Sequence, residues 1–290
     1  SVQSYLRDAA GNPVYSGNVS IDGATYALNA TAMQPSKRLE EHLMNSLAWR
    51  YDQKQESDWA FEAALTKYEF VKDTTRKPTV ALPAASSGGA GQVQLLDGTG
   101  WHTADMRADW RPDGGKRGHD VAFGYHYDQH TLNDRTYANA DWLAGNATTV
   151  YAGNTGNTET QGFYVQDAIR MRQDMKLTLG VRQEQWRAFS GTTTNSTPTT
   201  VAYPERKENF TSPKLSLSWV ATENWLLRGS LSRAVRFPTV TELFQGSISG
   251  TSIINNDPGL KPEKILASEL AAERDLGGAG NLRISLFQDD

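Results

Sequence analysis

The chain has no cysteine among its 290 residues, so neither a disulfide framework nor a thiolate metal centre is available to it. It also lacks long apolar runs. Apolar residues make up 38% of the sequence, mean hydropathy is -0.57, and no stretch approaches the roughly 18 to 20 uninterrupted apolar residues of a spanning helix. A helical membrane protein is thereby excluded. A β-barrel is not, because strands that alternate lipid-facing with lumen-facing residues average to a polar sequence. Nor is there an excess of positive charge: 29 basic residues stand against 33 acidic ones, net charge is -4, and the basic residues are scattered. No nucleic-acid surface held by phosphate contacts is expected from such a distribution. The first residues, Ser1 to Asp8, form neither a signal peptide nor a targeting helix.

What the sequence does have is period two. Stretches about ten residues long alternate apolar with polar residues, and they come in pairs joined by short polar turns, which reads as a meander of hairpins. Ala104, Met106, Ala108 and Trp110 share one face, with Thr103, Asp105, Arg107 and Asp109 on the other; Val121, Phe123, Tyr125 and Tyr127 then oppose Ala122, Gly124, His126 and Asp128. Four more pairs follow the plan: Leu43 to Arg50 with Asp58 to Phe70, Thr160 to Met171 with Lys176 to Ala188, Lys214 to Val220 with Trp225 to Arg236, and Ile265 to Asp275 with Asn281 to Gln288.

The opposite connections are long and rich in Gly, Ser, Thr and Asn: Asp8 to Arg38, Lys72 to Gly100, Asn133 to Glu159, Ser190 to Glu208 and Pro238 to Glu263. Short turns alternating with long loops are the arrangement of an outer-membrane barrel, with the short turns periplasmic and the long loops outside. Five of the 8 tryptophans, Trp49, Trp59, Trp110, Trp219 and Trp225, lie beside the short turns. Indole settles at the bilayer interface, so this row reads as an aromatic girdle rather than the packing layer of a sandwich. Two residues interrupt the pattern. Asp167 shares a face with Phe163, Val165, Ile169 and Met171, and Asn45 with Leu43, Leu47 and Trp49, so a register slip or a bulge is expected near each.

Three segments of the second half carry a family resemblance. TETQGFYVQDAIRMRQDMKLTLGVRQEQW, Thr158 to Trp186, contains an aromatic-x-Gln-Asp strand returning through Leu-Thr-Leu-Gly-x-Arg. FTSPKLSLSWVATENWLLRGSLSRAVRFPTVTELF, Phe210 to Phe244, opens with Ser212-Pro213-Lys214 and leads through Arg236-Phe237-Pro238 to Glu242-Leu243. NNDPGLKPEKILASELAAERDL, Asn255 to Leu276, has the form Asn-x-x-Leu-x-Pro-Glu followed by a strand. Together these resemble TonB-dependent outer-membrane receptors, the family that takes up iron-siderophores, haem, cobalamin and some other metals or sugars; the first half agrees in layout only.

The resemblance implies an all-β fold, an antiparallel up-and-down transmembrane barrel of which residues 1–290 are one partial domain, about ten strands of a presumed 22. It implies a plug domain, a TonB-engaging segment and closing C-terminal strands lying outside this sequence. Expected partners are outer-membrane lipid, the TonB complex through that missing N-terminal region, and an iron-siderophore or other metal-chelate ligand. The implied location is the bacterial outer membrane. No cofactor is expected. A barrel hydrolase using His126 with Asp105 or Asp128, and a passive porin, are the competing readings. The sequence shows no Gly-x-Ser-x-Gly turn, His-Glu-x-x-His helix or phosphate loop to support the first.

Candidate ligand contacts follow from the faces. His126, Asp128 and His130 fall at i, i+2 and i+4 on the polar face of one strand, where imidazole and carboxylate suit a borderline divalent ion. The plainer reading of the trio is ordinary polar barrel wall. Arg182, Arg228 and Arg236, lumen-facing with Glu184, Glu269 and Glu273, suit either mutual pairing or an anionic chelate. Trp142 and Tyr151, on the expected loop from Tyr137 to Asn157, are candidates for direct contact. His42, His102 and His119 show no comparable partners in the sequence.

Overall fold

The computed structural model describes residues 6–8, 10–29, 33–52, 59–112, 116, 118–197, 199–249, 252–254 and 256–290. The expected turn at 52–57 and most of that at 112–118 lie outside the described residues. In chain order the strands are β1 (Gly17–Ile21), β2 (Ala24–Leu28), β3 (Lys37–Asp52), β4 (Trp59–Pro78), β5 (Gly91–Leu95), β6 (Gly100–Trp110), β7 (Val121–Asn139) and β8 (Ala147–Arg172). There follow β9 (Met175–Asn195), β10 (Thr200–Ala202), β11 (Arg206–Thr222), β12 (Trp225–Arg236), β13 (Ser247–Ser249), β14 (Ser252–Ile254), β15 (Glu263–Asp275) and β16 (Asn281–Asp289). One short helix, α1 (Val240–Phe244), interrupts the connection after β12.

The main sheet runs β16-β15-β12-β11-β9-β8-β7-β5-β4-β3, with β6 also between β4 and β7, and β10 on β9. Every neighbouring pair is antiparallel, so each strand returns beside its predecessor. The β5 and β6 segments act as one strand broken at 96–99, both pairing with β4 and with β7. Strands β3 and β16 are its two edges.

Directly opposed residues share a face, so the register sorts side chains across the whole sheet. On one face, Trp59, Phe61, Ala63 and Leu65 meet Trp110, Ala108, Met106 and Ala104, which in turn meet Val121, Phe123, Tyr125 and Tyr127. The same face continues through Leu177 and Leu179 to Leu217 and Leu215, and ends at Ile284 and Leu286. Much of this face is exposed, Met106 at 55%, Ile284 at 57% and Leu286 at 72%, and the rest is half-buried among neighbours of the same face. Polar residues appear after a constant interval: Lys67 lies eight positions from Trp59 on β4, and His102 eight from Trp110 on β6. Gln129 lies eight positions from Val121 on β7, and Arg233 eight from Trp225 on β12. Eight residues at a rise of ~3.4 Å, tilted by about 40°, span roughly 20 Å, close to the height of a barrel's lipid-facing band.

Tryptophans mark one border of that band. Trp59 and Trp110 stack at 6.0 Å, Phe61 lies 5.8 Å and Phe123 6.4 Å from Trp59, and Trp219 Nε1 donates to Asp174 in the β8–β9 turn at 3.1 Å. The two expected irregularities resolve differently from the sequence reading. Asp167 itself is in register with Val121, the first residue of β7, and with Leu179, and the nearest register shift lies at Arg170/Arg172; its carboxylate stays on the apolar face near the short turns, 2.7 Å from His119 Nδ1. Asn45 likewise sits in continuous register opposite Lys67, at the level where the face turns polar, and the bulge of this hairpin lies at Glu41/His42.

The strands are longer than expected. The connection predicted from Asn133 to Glu159 is reduced to residues 140–146, because β7 and β8 continue well beyond the apolar band, and β9 extends to Asn195. Above the band the sheet no longer carries a continuous apolar face, and small and polar residues of β7, β8 and β9 are buried there beneath other connections. Alternation therefore disappears from the sequence although the ladder of backbone hydrogen bonds persists.

Candidate functional site

The polar face gathers the groups able to meet a ligand. At its loop end the connection after β12 folds back onto the sheet. Pro238 has no N–H to continue the ladder, and Thr239 then caps α1: its hydroxyl accepts from the Glu242 N–H at 3.3 Å, while the Glu242 carboxylate accepts from the Thr239 N–H at 2.8 Å. Arg236 Nη2 donates to the same carboxylate at 2.6 Å. The Thr239 amide and the Arg236 guanidinium together pull the Glu242 carboxyl down to about 2 from its ordinary 4.5.

The helix lays its apolar residues against β7, β8 and β9. Val240, Leu243 and Phe244 are buried with Leu132, Trp186 and Ala188, and Phe237, Tyr203 and Leu260 close the cluster. The Phe237 ring stacks on Trp186 at 5.9 Å and Tyr203 on Phe244 at 5.7 Å. A side chain at Gly156 or at Gly191 would collide with the Phe244 ring, so two strand glycines form its socket. Arg206 ties down the remainder of the connection through the carbonyls of Pro258, at 2.8 Å, and Leu260, at 3.0 Å, with its guanidinium 5.2 Å from the Trp186 ring. The expected turn at Asp257-Pro258-Gly259 is present: the Gly259 N–H donates to Asp257 Oδ1 at 2.8 Å.

Lower on the polar face, long side chains lie over glycines of adjoining strands. Tyr164 lies across Gly124, its direct partner; Arg182 Nη2 comes to 3.1 Å of where a Cβ of Gly162 would be, and Lys214 Cε to 3.1 Å of the same point on Gly180. Charges pair along this wall: Arg182 with Glu184 at 2.8 Å, Arg228 with Glu273 at 3.4 Å, and Arg283 with Glu269 at 3.1 Å and Glu273 at 3.4 Å. Arg236 is drawn away from the expected set to Glu242 and, at 3.5 Å, Glu263. Arg283 is the member that the sequence reading missed; only the β15–β16 register brings it to both glutamates.

His126 is held between carboxylates, Nδ1 at 2.6 Å from Asp105 and Nε2 at 3.2 Å from Asp128, whose other oxygen lies 3.2 Å from His130 Nδ1. Asp128 thus spaces the two imidazoles apart. The trio does not bring three donor atoms within 4.8 Å of one another; among the described residues that occurs at Glu40, His42 and Asp73. There His42 stacks on Phe70 at 4.1 Å, its Nδ1 meets the Tyr68 hydroxyl at 2.9 Å, and its Nε2 lies 3.4 Å from the buried Asp73. Arg38 already bridges Asp73 and Glu40, so the cation's place is filled by the chain itself. These partners of His42, and Asp167 beside His119, revise the expectation that both histidines stand alone.

The two loop aromatics part company. Trp142 is 5% exposed and its Nε1 donates to the Ala85 carbonyl at 2.8 Å, packing the 140–146 connection onto the 84–87 turn instead of facing solvent. Tyr151 lies on β8 itself and is 48% exposed.

Known proteins agree with this two-faced sheet. A family model described as TonB dependent receptor-like, beta-barrel matches residues 2–290. The ferric yersiniabactin uptake receptor FyuA from Yersinia pestis aligns over 88% of the chain and 36% of its own length, at 15% identity and a TM-score of 0.56. BauA, the ferric preacinetobactin receptor from Acinetobacter baumannii, aligns over 90% and 39%, at 18% identity and 0.55, and the copper transporter OprC over 93% and 44%, at 16% identity and 0.59. At such identities the likeness is one of fold. The chain spans less than half the length of these structures. No curated protein sequence matches it.

Proposed function

The chain belongs to the TonB-dependent receptor family, and on that basis we propose that it is part of the barrel of an outer-membrane receptor for energised uptake of a scarce metal chelate, most plainly an iron-siderophore. The observation that supports this most is the division of one continuous sheet into an exposed apolar face and a charged, hydrogen-bonded opposite face. Such a wall separates lipid from a polar interior. FyuA and BauA are receptors for ferric chelates and OprC is a copper transporter, which sets the class of cargo proposed here.

In this reading the interior surface offers Arg182 and Arg228 toward anionic groups of the chelate, and Tyr151 contacts it at the loop end. His126, Asp128 and His130 form a polar contact surface rather than a closed metal shell, and Arg236 acts through Glu242 by holding α1. The TonB complex supplies the energy through parts of the receptor beyond this sequence. Uptake of a radiolabelled ferric siderophore by cells carrying the intact receptor, with and without TonB, tests the proposal. TonB-dependent accumulation is expected; accumulation unchanged by loss of TonB overturns it in favour of a passive pore.

A further inference from the structure

Aromatic rings and carboxylates meet on the polar face of β4, β6 and β7. Trp110, Ala108, Met106 and Ala104 carry the apolar face of β6, so Trp101, Thr103 and Asp105 stand on the other, at alternate positions about 7 Å apart. Register extends this row to both neighbours. Tyr68 opposes Trp101 on β4, and on β7 Asp128 opposes Thr103 while His126 opposes Asp105. Tyr68 and Trp101, both half-buried, set their rings 5.9 Å apart at 35°, and Tyr68 stands edge-on to Phe70 at 5.6 Å. A bank of rings therefore borders the two aspartates. Ala64 and Thr66, which oppose Asp105 and Thr103, are too short to cover them.

Charge is matched around this patch and not within it. Nearby carboxylates each have a guanidinium: Asp109 has Arg107 at 2.7 Å, Glu184 has Arg182 at 2.8 Å and Glu208 has Arg206 at 2.6 Å. Among the described residues Asp105 and Asp128 meet no Lys or Arg, and their charge-bearing partners are the imidazoles of His126 and His130. The guanidiniums that flank them are already engaged. Arg107, two positions from Asp105 on β6, holds Asp109, and Arg182, lying over Gly162 opposite His126, holds Glu184. The Asp105 side chain is 54% exposed, so negative charge stays open to the interior beside aromatic rings. That combination recognises an organic cation, because a carboxylate accepts charge-assisted hydrogen bonds from an ammonium group while a ring face attracts its charge. A bare metal ion is not matched, since these donor atoms do not converge within 4.8 Å of one another.

We propose that Asp105 and Asp128, with Tyr68 and Trp101, bind an organic ammonium group, and that the cargo presents one. The second half rests on the uptake reading; the first does not. The intact receptor in detergent micelles is titrated with tyramine, with N-acetyltyramine, which keeps the ring and loses the charge, and with para-hydroxyphenylacetate, which reverses it. Binding is followed by saturation-transfer nuclear magnetic resonance. Tyramine is expected to bind about ten-fold or more tighter than either analogue, the difference made by a hydrogen bond between charged groups. Asp105→Asn with Asp128→Asn is expected to abolish that preference. Equal binding of tyramine and N-acetyltyramine to the wild type overturns the site, and so does a preference that survives in the double variant. Heat-modifiability on gels confirms that the variant is folded; if it is not, the wild-type comparison decides. In cells, excess tyramine is expected to slow TonB-dependent accumulation of a radiolabelled ferric siderophore, and N-acetyltyramine is not. Tyramine that binds yet leaves accumulation unchanged marks a site for free amines and overturns the assignment to cargo. Accumulation that does not depend on TonB overturns the uptake reading, and with it only the cargo half of the proposal.

Discussion

The Phe244 ring occupies the space above Gly156 into which any other side chain would project. Gly191 does the same from β9, so a helix of a single turn is fixed to the wall by one aromatic residue in a glycine socket. Gly191→Val is expected to evict the ring, forfeiting a burial whose loss in Phe→Ala substitutions costs about 3 to 5 kcal/mol. Limited digestion of the intact receptor with a glutamate-specific endoprotease checks this through cleavage after Glu242, which should accelerate in Gly191→Val and in Phe244→Ala alike. Equal rates in wild type and both variants would show that the ring anchors nothing.

A second prediction concerns acid. Because the folded-state carboxyl of Glu242 titrates at about 2 against an ordinary 4.5, its contribution is complete above pH 4.5 and is lost as pH falls from there through 2. Hydrogen exchange of the Glu242 amide, which donates to Thr239 Oγ1, should accelerate relative to the strand amides across that window. Glu242→Gln should abolish the pH dependence and give fast exchange throughout. With the side chain about one-third exposed, the effect on global stability is expected to be small.

Adjacent residues on opposite faces should respond oppositely. Leu217→Arg places a guanidinium in the middle of the apolar band and is expected to destabilise the membrane-inserted barrel by about 2 to 4 kcal/mol. Ser216→Arg, one residue away and facing the polar interior beside Lys214, is expected to cost about 1 kcal/mol or less. Equilibrium refolding of the intact barrel into lipid vesicles measures both. Similar losses at the two positions would contradict the face assignment.

The two loop aromatics give a fourth pair of expectations. Trp142→Phe leaves the Ala85 carbonyl without its donor, a loss of about 1 to 3 kcal/mol, and should loosen the 140–146 connection without altering ligand capture. Tyr151→Ala should weaken capture and leave loop order unchanged. Protease nicking and binding of a ferric siderophore by the intact receptor separate the two effects.

How much of this was legible from the chain depends on where a residue lies relative to the bilayer. The ten long strands, the short turns that fall among the described residues and the face of Met106, Phe123, Leu179 and Leu231 are readable because lipid on one side and polar surroundings on the other enforce alternation. Above the band that constraint ends, and the Thr, Asn and Gly residues of 147–158 read as loop although they form a paired strand. Trp142 read as exposed because burial by a second connection, 84–87, leaves no local signal. The meeting of His42 with Asp73 depends on a bulge at Glu41/His42, and that of Arg283 with two glutamates on strand register. One missed element did carry a mark: Thr239-x-x-Glu242 is a capping box, but the helix that it begins is too short to show periodicity.

Tyr164, Arg182 and Lys214 each lie down over a glycine of the neighbouring strand, and this gives the inner wall low relief. A tall, interlocking surface would grip whatever fills the interior and would require many side chains to change rotamer before anything moved. A flattened one allows a body to slide or turn against it with few such changes. In the proposed receptor the glycines at 124, 162 and 180 would then serve as a bearing surface, and bulkier residues there are expected to make the wall stick.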